Sequence, residues 1–289
     1  YGATWYKFSD DTFLLPKIDH LKELAVGFKK LGIQFGCSVM INTMTEEKVA
    51  MAKEMGCVSM SIGIEAGSPE IRESLNRKYS DEKLFKGIGW MHKHGIKVSS
   101  FNIIGCPGET REQVFETIEL NRKLSVESCN VYIMFPYPGT PIQIESKLPI
   151  RDKNGRLFQV SEAKNLRLSK IPPDELEGLE KTFNIYLNLP KSLWPVIKLA
   201  ENKENWTNIL SPLKDFSVEF ISDQIEMYAL REDFFEINSR KVPKKLYEIY
   251  LSSTAKNKSI ILNSINDYLL SSEAVNKSIE SSVVSATIQ

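Results

Sequence analysis

Three times ahead of Lys97, an amphipathic segment ends on a glycine that leads straight into an apolar run, at Gly32-Ile33, Gly56-Cys57 and Gly95-Ile96. Glycine closes a helix because it takes the left-handed conformation without strain. The repeated pattern is therefore helix, cap, strand. The strand-like runs are TWYKFS, IQFGCSVM, VSMSIGI, KVSSFNIIG and CNVYIMF. Between the first two lies KIDHLKELAVGFKKLG, in which Ile18, Leu21, Leu24, Ala25, Phe28 and Leu31 share one helical stripe. Helix starts are marked by Thr45, by Ser80, and by Thr110 with Gln113 as a capping box. Strands joined by single helices require right-handed parallel crossovers, so this half of the chain reads as an α/β barrel or a doubly wound sheet. In either architecture the chemistry is expected at the carboxyl ends of the strands.

Composition narrows the class. With 289 residues, 42% of them apolar, the chain is long enough for one large domain or two smaller ones. Its 37 basic and 37 acidic side chains balance, so net charge offers no attraction to nucleic acid or an anionic membrane. No run of apolar residues is long enough for a transmembrane helix, and a cytoplasmic setting is the expectation. Cys37, Cys57, Cys106 and Cys129 have neither metal-knuckle nor disulfide-scaffold spacing and read as separate core residues. The methionines Met40, Met44, Met51, Met55 and Met60 read as core filling, and His92 and His94 as a solvated helix end.

The strand ends carry the candidates. Asp10 and Asp11 close the first, where they either cap a turn or face a ligand. Glu65 ends the third, after Ile62, Gly63 and Ile64 and before Ala66-Gly67. A carboxylate there must be hydrated, paired or bound to ligand. Arg77, after the short helical pattern PEIRESLN, is its candidate partner, either in a structural ion pair or beside a ligand. The fourth strand ends in GCPGET, a turn whose backbone at Gly105, Pro107 and Gly108 can pass close to a ligand. The fifth ends in FPYPGTP, where Phe135 and Tyr137 either stack on a base or fill the core.

The ordered set DDTF, GIEAGSPEI with LNRKYS, NIIGCPGET and FPYPGTPI resembles the catalytic domain of radical S-adenosylmethionine enzymes. Within that superfamily the resemblance is strongest to the branch with a cobalamin-binding domain. It implies a partial TIM-like barrel of six strand-helix units and a [4Fe-4S] cluster on a CxxxCxxC loop. That loop does not occur in the sequence, so the cluster ligands are expected outside this chain and the barrel is expected to lack its first unit through N-terminal truncation. The resemblance further implies S-adenosylmethionine as a bound cofactor, cleaved reductively to a 5′-deoxyadenosyl radical, with cobalamin as a further cofactor. It places Asp10 and Asp11 against an ammonium group, Glu65 against ribose hydroxyls or the methionine moiety, and Arg77 against the carboxylate. Gly105, Pro107 and Gly108 would pass beside the adenosine, Phe135 and Tyr137 near the adenine. Asn42, Ser100 or Asn102 would take over ribose recognition, since Met40 and Phe101 stand where many relatives carry charged residues. The implied partners are a small-molecule substrate and an electron donor such as flavodoxin or ferredoxin, with no membrane span and no nucleic acid.

The expected organisation is a barrel over 1–145, a helical region over 146–271 that shapes the barrel mouth, and a flexible tail over 272–289. In the helical region PPDELEGLEKTFNIYLNLPKSLWPVIKLAE reads as helices broken by Pro190 and Pro195, and SVEFISDQIEMYALREDFFEI and KKLYEIYLSS read as further helices. The expected reaction is methyl transfer to a poorly activated carbon. The alternatives are a methylthiotransferase, whose RNA-binding β-barrel the helical C-terminal half does not resemble, and a non-catalytic barrel that binds a nucleoside-like ligand or partner.

Overall fold

Five parallel strands form one sheet in chain order: β1 (Trp5–Lys7), β2 (Gln34–Val39), β3 (Cys57–Glu65), β4 (Lys97–Ile104) and β5 (Ser128–Ile133). Between them run α1 (Ile18–Leu31), α2 (Glu46–Glu54), α3 (Pro69–Ser74) followed by α4 (Asp81–Lys93), and α5 (Arg111–Lys123). The sheet curls into a partial TIM-like barrel, in which helices pack on one face and the other face is concave. This computed structural model describes residues 3–149, 151–222, 234–237 and 240–286.

The local signals work as their chemistry requires. Gly32 caps α1 at φ 59° and donates its N–H to the Phe28 carbonyl. The hydroxyls of Thr45 and Ser80 accept the N–H of Lys48 and Lys83, and Thr110 with Gln113 forms a reciprocal capping box. Each such cap satisfies an amide that the first helical turn leaves without a partner. The helix side of the sheet is apolar, with Phe35, Cys37, Val39, Met60, Ile62, Ile64, Val98 and Ile104 buried. Phe8, Phe13, Phe28 and Phe35 form one aromatic cluster that holds α1 on β2, the Phe8 and Phe35 rings meeting edge-on at 5.1 Å.

Two features fix α5 against the sheet. A buried polar network runs from Asn102 through Ser100 to Asn121, with Ser100 Oγ donating to Asn121 Oδ1 at 2.6 Å and Asn121 Nδ2 donating to Asn102 Oδ1 at 2.9 Å. Gly67 lies directly against the helix backbone, its N–H donating to Thr117 Oγ1 at 2.8 Å.

The chain divides into two compact units, Tyr1–Leu176 and Glu177–Gln289. The second takes in most of the helix Pro173–Asn188 and the helices Trp194–Ala200, Ser211–Ser222, Lys244–Ser252 and Ala255–Ala286. Pro195 starts a helix rather than breaking one, sitting in the first turn of Trp194–Ala200, where a missing N–H costs nothing. Residues 234–237, expected to be helical, form a strand antiparallel to Arg240–Pro243. The aromatic, β-favouring Phe-Phe pair and the available partner strand outweigh the helical periodicity. The remainder of that expected helix, 223–233, lies outside the described residues. Among the described residues no helix is long and apolar enough to cross a membrane.

Candidate functional site

A β-bulge aims Glu65. The β3–β4 register runs evenly through Gly63↔Phe101 and then shifts, so that Glu65 pairs with Asn102 and Ile64 is the extra residue. Glu65 absorbs the irregularity by taking a left-handed conformation, φ 64°, which is rare for a residue with a side chain. Its side chain folds back over Gly63, where an added Cβ would stand 2.5 Å from Glu65 Oε1. The position of the carboxylate therefore depends on that glycine.

Glu65 is 8% exposed, and its Oε1 lies 2.9 Å from Arg77 Nη2. Burial pushes the Glu65 carboxyl up from its ordinary value, and the charge and hydrogen bond of Arg77 oppose that rise without cancelling it. The arginine side chain is 42% exposed. A guanidinium has five N–H donors, so its pairing with Glu65 leaves donors for a second acceptor.

The loop that carries Arg77 is fastened to the same bulge. Tyr79 Oη donates to the carbonyls of Gly63 and Ile64, at 3.1 and 2.8 Å, the two peptide units immediately before Glu65. Burial raises the Tyr79 phenol, which therefore stays a donor. The buried Arg72 stands 5.8 Å from the Tyr79 ring centroid and is paired with Asp81 at 2.5 Å. Asn76, at φ 56°, makes the turn that brings Arg77 back to the strand.

These groups face a cleft of about 570 Å³ at the carboxyl ends of β1, β2 and β3, lined among others by Asp10, Asp11, Met40, Asn42, Ser61, Glu65, Arg77 and Tyr79. Four of the residues singled out from the sequence, Asp10, Asp11, Glu65 and Arg77, thus come together. Asn42, one of those considered for ribose, lines the same cleft, with its Oδ1 accepting from Lys83 Nζ at 2.6 Å.

The other candidates lie elsewhere. Asn102 and Ser100 point to the helix side, into the network with Asn121, because alternate strand residues face opposite ways and theirs is the outer parity. In the Gly105–Glu109 turn the amides are used internally: Gly105 and Cys106 N–H donate to Glu109 Oε2, at 2.5 and 3.0 Å, and Gly108 N–H donates to the Leu168 carbonyl. Pro107 and Gly108 line a second cleft of about 420 Å³ with Glu70, Glu112 and Glu116. Phe135 and Tyr137 follow β5 and pack edge-on against each other at 5.1 Å, in the lining of neither cleft.

The site also uses residues that do not lie at a strand end in the sequence. Tyr79 stands two places after Arg77 in NRKYS, and Ser59, Ser61 and Gly63 alternate along VSMSIGI. The period of a strand assigns them to the face opposite Met60 and Ile62. Lys7 reaches the same face, its Nζ donating to Ser61 Oγ at 3.2 Å.

Glu109 is a buried acid with a pH signature. Its Oε1 has no hydrogen-bond partner among the described residues, and burial, opposed by the amides of Cys106 and Gly105, pushes its carboxyl up from 4.5 to about 7. A carboxyl whose pKa is higher in the folded state is most stabilising when protonated. Its contribution is full below pH 4.5 and is lost as pH rises through about 7. The expected result is that unfolding free energy measured in denaturant falls across this interval. Glu109→Gln, which mimics the protonated acid, flattens the fall, while Glu65, also pushed up by burial, continues to contribute in the same direction. An unaltered pH profile in the glutamine variant would show that Glu109 is not the titrating group.

The cleft suits a zwitterionic nucleoside such as S-adenosylmethionine: acids for an ammonium, a guanidinium for a carboxylate, and a buried carboxylate for hydroxyls. The cysteines do not suit an iron–sulfur cluster. Cys37 and Cys57 approach to 3.9 Å on the helix side of the sheet, and Cys106 and Cys129 are buried apart from them. Among the described residues no three His, Cys, Asp or Glu side chains are grouped to hold a metal ion.

Residues 6–120 match the Radical SAM superfamily. An uncharacterized methyltransferase of Pyrococcus horikoshii is 34% identical over 141 residues, 48% of this chain and 31% of that protein. The bacteriochlorophyllide d C-12(1)-methyltransferase of Chlorobaculum tepidum is 28% identical over 212 residues, 70% of this chain and 44% of that protein. A tRNA-2-methylthio-N(6)-dimethylallyladenosine synthase of Symbiobacterium thermophilum is 25% identical over 146 residues, 47% of this chain and 31% of that protein. The chain spans less than half the length of each of these relatives.

Proposed function

We propose, from the membership of residues 6–120 in the Radical SAM superfamily, that this protein binds S-adenosylmethionine in the cleft between Asp10 and Arg77 and takes part in methyl transfer to a poorly activated carbon. The observation that carries the reading is the Glu65–Arg77 pair, held at the bulged mouth of β3 at 2.9 Å and open to the cleft. In this reading Arg77 takes the carboxylate of the cofactor by a charge-assisted hydrogen bond, Glu65 accepts from its hydroxyls, and Asp10 or Asp11 accepts from its ammonium. Tyr79 and Gly63 hold that arrangement in place. A [4Fe-4S] cluster, on ligands outside this chain, would supply the electron for reductive cleavage, with flavodoxin or ferredoxin as donor. Cobalamin as methyl carrier is part of the proposal, and no residue here is assigned to it.

Two of the relatives named above are methyltransferases, which supports methyl transfer. The methylthiotransferase reading draws its support from the tRNA-modifying relative of Symbiobacterium thermophilum. The test is to prepare the full-length gene product anaerobically, reconstitute it with iron and sulfide, and measure 5′-deoxyadenosine and methylated product. Formation of 5′-deoxyadenosine that is lost with Glu65→Ala is the expected result. A well-folded protein that forms none would turn the reading toward a binding module, and a sulfur-bearing product would favour the methylthiotransferase.

A further inference from the structure

Arg72 is a buried cation in α3, outside the lining of the cleft. Its side chain is 5% exposed, against 50% for its partner Asp81 in the first turn of α4. Its Nη1 is buried with no hydrogen-bond partner among the described residues. Such a pair is a weak device for stability, because desolvation offsets most of what the charges gain. A methionine would fill the space of the arginine stem, and Asp81 would remain where the helix dipole favours a carboxylate. What the pair does is join the two ends of the 75–80 loop, whose middle carries Arg77. The exit of α3 adds a second tie. Asn76, left-handed at φ 56°, closes the helix in a Schellman motif: Arg77 N–H donates to the Arg72 carbonyl and Asn76 N–H to the Glu73 carbonyl, both at 2.8 Å. Tyr79 is the third, with the Arg72 guanidinium over its ring and its hydroxyl on the β3 bulge.

We propose that Arg72, with Asp81, is a positioning residue that fixes the 75–80 loop so that Arg77 stands against Glu65 with donors left for a ligand carboxylate. The inference deepens the function proposed above and rests on it for the identity of that ligand. Arg77 is half-exposed and packs little, so its direction is set by the backbone that carries it. That backbone is tied to Arg72 at one end of the loop, to Asp81 just past the other, and to β3 through Tyr79. Loss of the Arg72 guanidinium leaves the helix exit intact and frees the remaining turn, so its effect reaches the cleft through Arg77.

The experiment follows the Glu65 carboxyl across pH by carbon-13 NMR in the 289-residue chain, unsubstituted and as Arg72→Met, Arg77→Ala and the double variant. Calorimetric titration with S-adenosylmethionine and thermal unfolding are run on the same samples. Arg77 opposes the rise that burial imposes on Glu65, so a displaced Arg77 lets the carboxyl move further up. Tyr79 and Cys106, which also feel Glu65, are pushed up by burial and stay neutral, and Asp10, Asp11 and Lys78 of the cleft are the same in every variant. In Arg72→Met the Glu65 titration should move up and S-adenosylmethionine should bind about tenfold more weakly. In the Arg77→Ala background the same substitution should change neither. A Glu65 curve that Arg72→Met leaves in place would overturn the inference. So would an equal shift in both backgrounds, which is the direct field of the lost cation. Asp81→Asn, which keeps an oxygen acceptor for Arg72 and removes only the charge, is the second variant should Arg72→Met not fold. A smaller shift in the same direction is expected there, and an unmoved curve overturns the inference. A Glu65 shift that runs through Arg77 in a chain with no affinity for S-adenosylmethionine would remove the cofactor reading and keep the positioning role. Affinity that depends on Arg77 and ignores Arg72 would do the reverse.

Discussion

Arg77→Ala should leave the protein folded and weaken S-adenosylmethionine binding about a hundredfold. The arginine is half-exposed and its packing is slight, so its loss costs the fold little. The site loses more. A charge-assisted hydrogen bond contributes roughly 1.5–3 kcal/mol, which corresponds to about one to two powers of ten in affinity. A second effect adds to it: Glu65 is already pushed up by burial, and Arg77 is the group that opposes the rise. Without the guanidinium that opposition is gone, and the carboxyl moves further up from its ordinary value. Arg77→Lys restores the charge without the planar fork and should recover only part of the affinity. Gly63→Ala is the geometric control. Its Cβ collides with the end of a flexible side chain, which can swing away, so stability is nearly kept while the carboxylate is displaced. Calorimetric titration with S-adenosylmethionine, alongside thermal unfolding, measures all three. Unchanged affinity in Arg77→Ala would take the ion pair out of the binding site and leave it a structural bridge between the Asn76–Tyr79 loop and β3.

The sequence was most legible where one residue fixes one local event. The caps at Thr45, Ser80 and Thr110 each act through a side chain on an amide three residues on, and the exit at Gly32 through a positive φ, so they could be read from spacing alone. The parallel direction of the strands followed from the crossovers, and their order β1 to β5 did not. The candidate site was legible to the level of the strand end and no finer. Asp10, Asp11, Glu65 and Arg77 converge because strand ends converge. Asn102 shares that neighbourhood but faces the other way, and only the period of β4, counted from the buried Val98, separates the two cases. The bulge at Ile64 was not readable, because an extra residue in a strand depends on the register with its neighbour. The same holds for the alignment of Ser38, Ser61, Ser99 and Ser128 across β2 to β5, and for the approach of Cys37 to Cys57. At 234–237 a local helical pattern was overruled by a partner strand.

Gly67→Ala should be among the most damaging single substitutions in the first unit, although it adds one methyl group. The backbone of Gly67 is not in the left-handed region, so alanine is conformationally acceptable there and the penalty is purely one of space. An added Cβ would lie 2.3 Å from the backbone carbonyl atoms of Glu116 and 2.4 Å from the Thr117 amide nitrogen, inside α5 itself. No rotamer can relieve a clash with helix backbone. The helix must move outward, and it cannot do so without stretching the Gly67–Thr117 hydrogen bond and the buried Asn102–Ser100–Asn121 network beyond it. Overpacking of this kind costs about 3 kcal/mol. For a unit of this size that is a fall of roughly 10 °C in melting temperature. Gly89→Ala supplies the contrast: a Cβ there meets nothing within 4 Å, and the residue lies inside α4. There the change should stabilise by about 0.5–1 kcal/mol, because alanine loses less entropy than glycine on entering a helix. If Gly67→Ala melts with the unsubstituted protein, β3 and α5 are not held at the spacing that places Glu65 at the cleft, and the bulge rather than the helix contact must be what fixes that strand end.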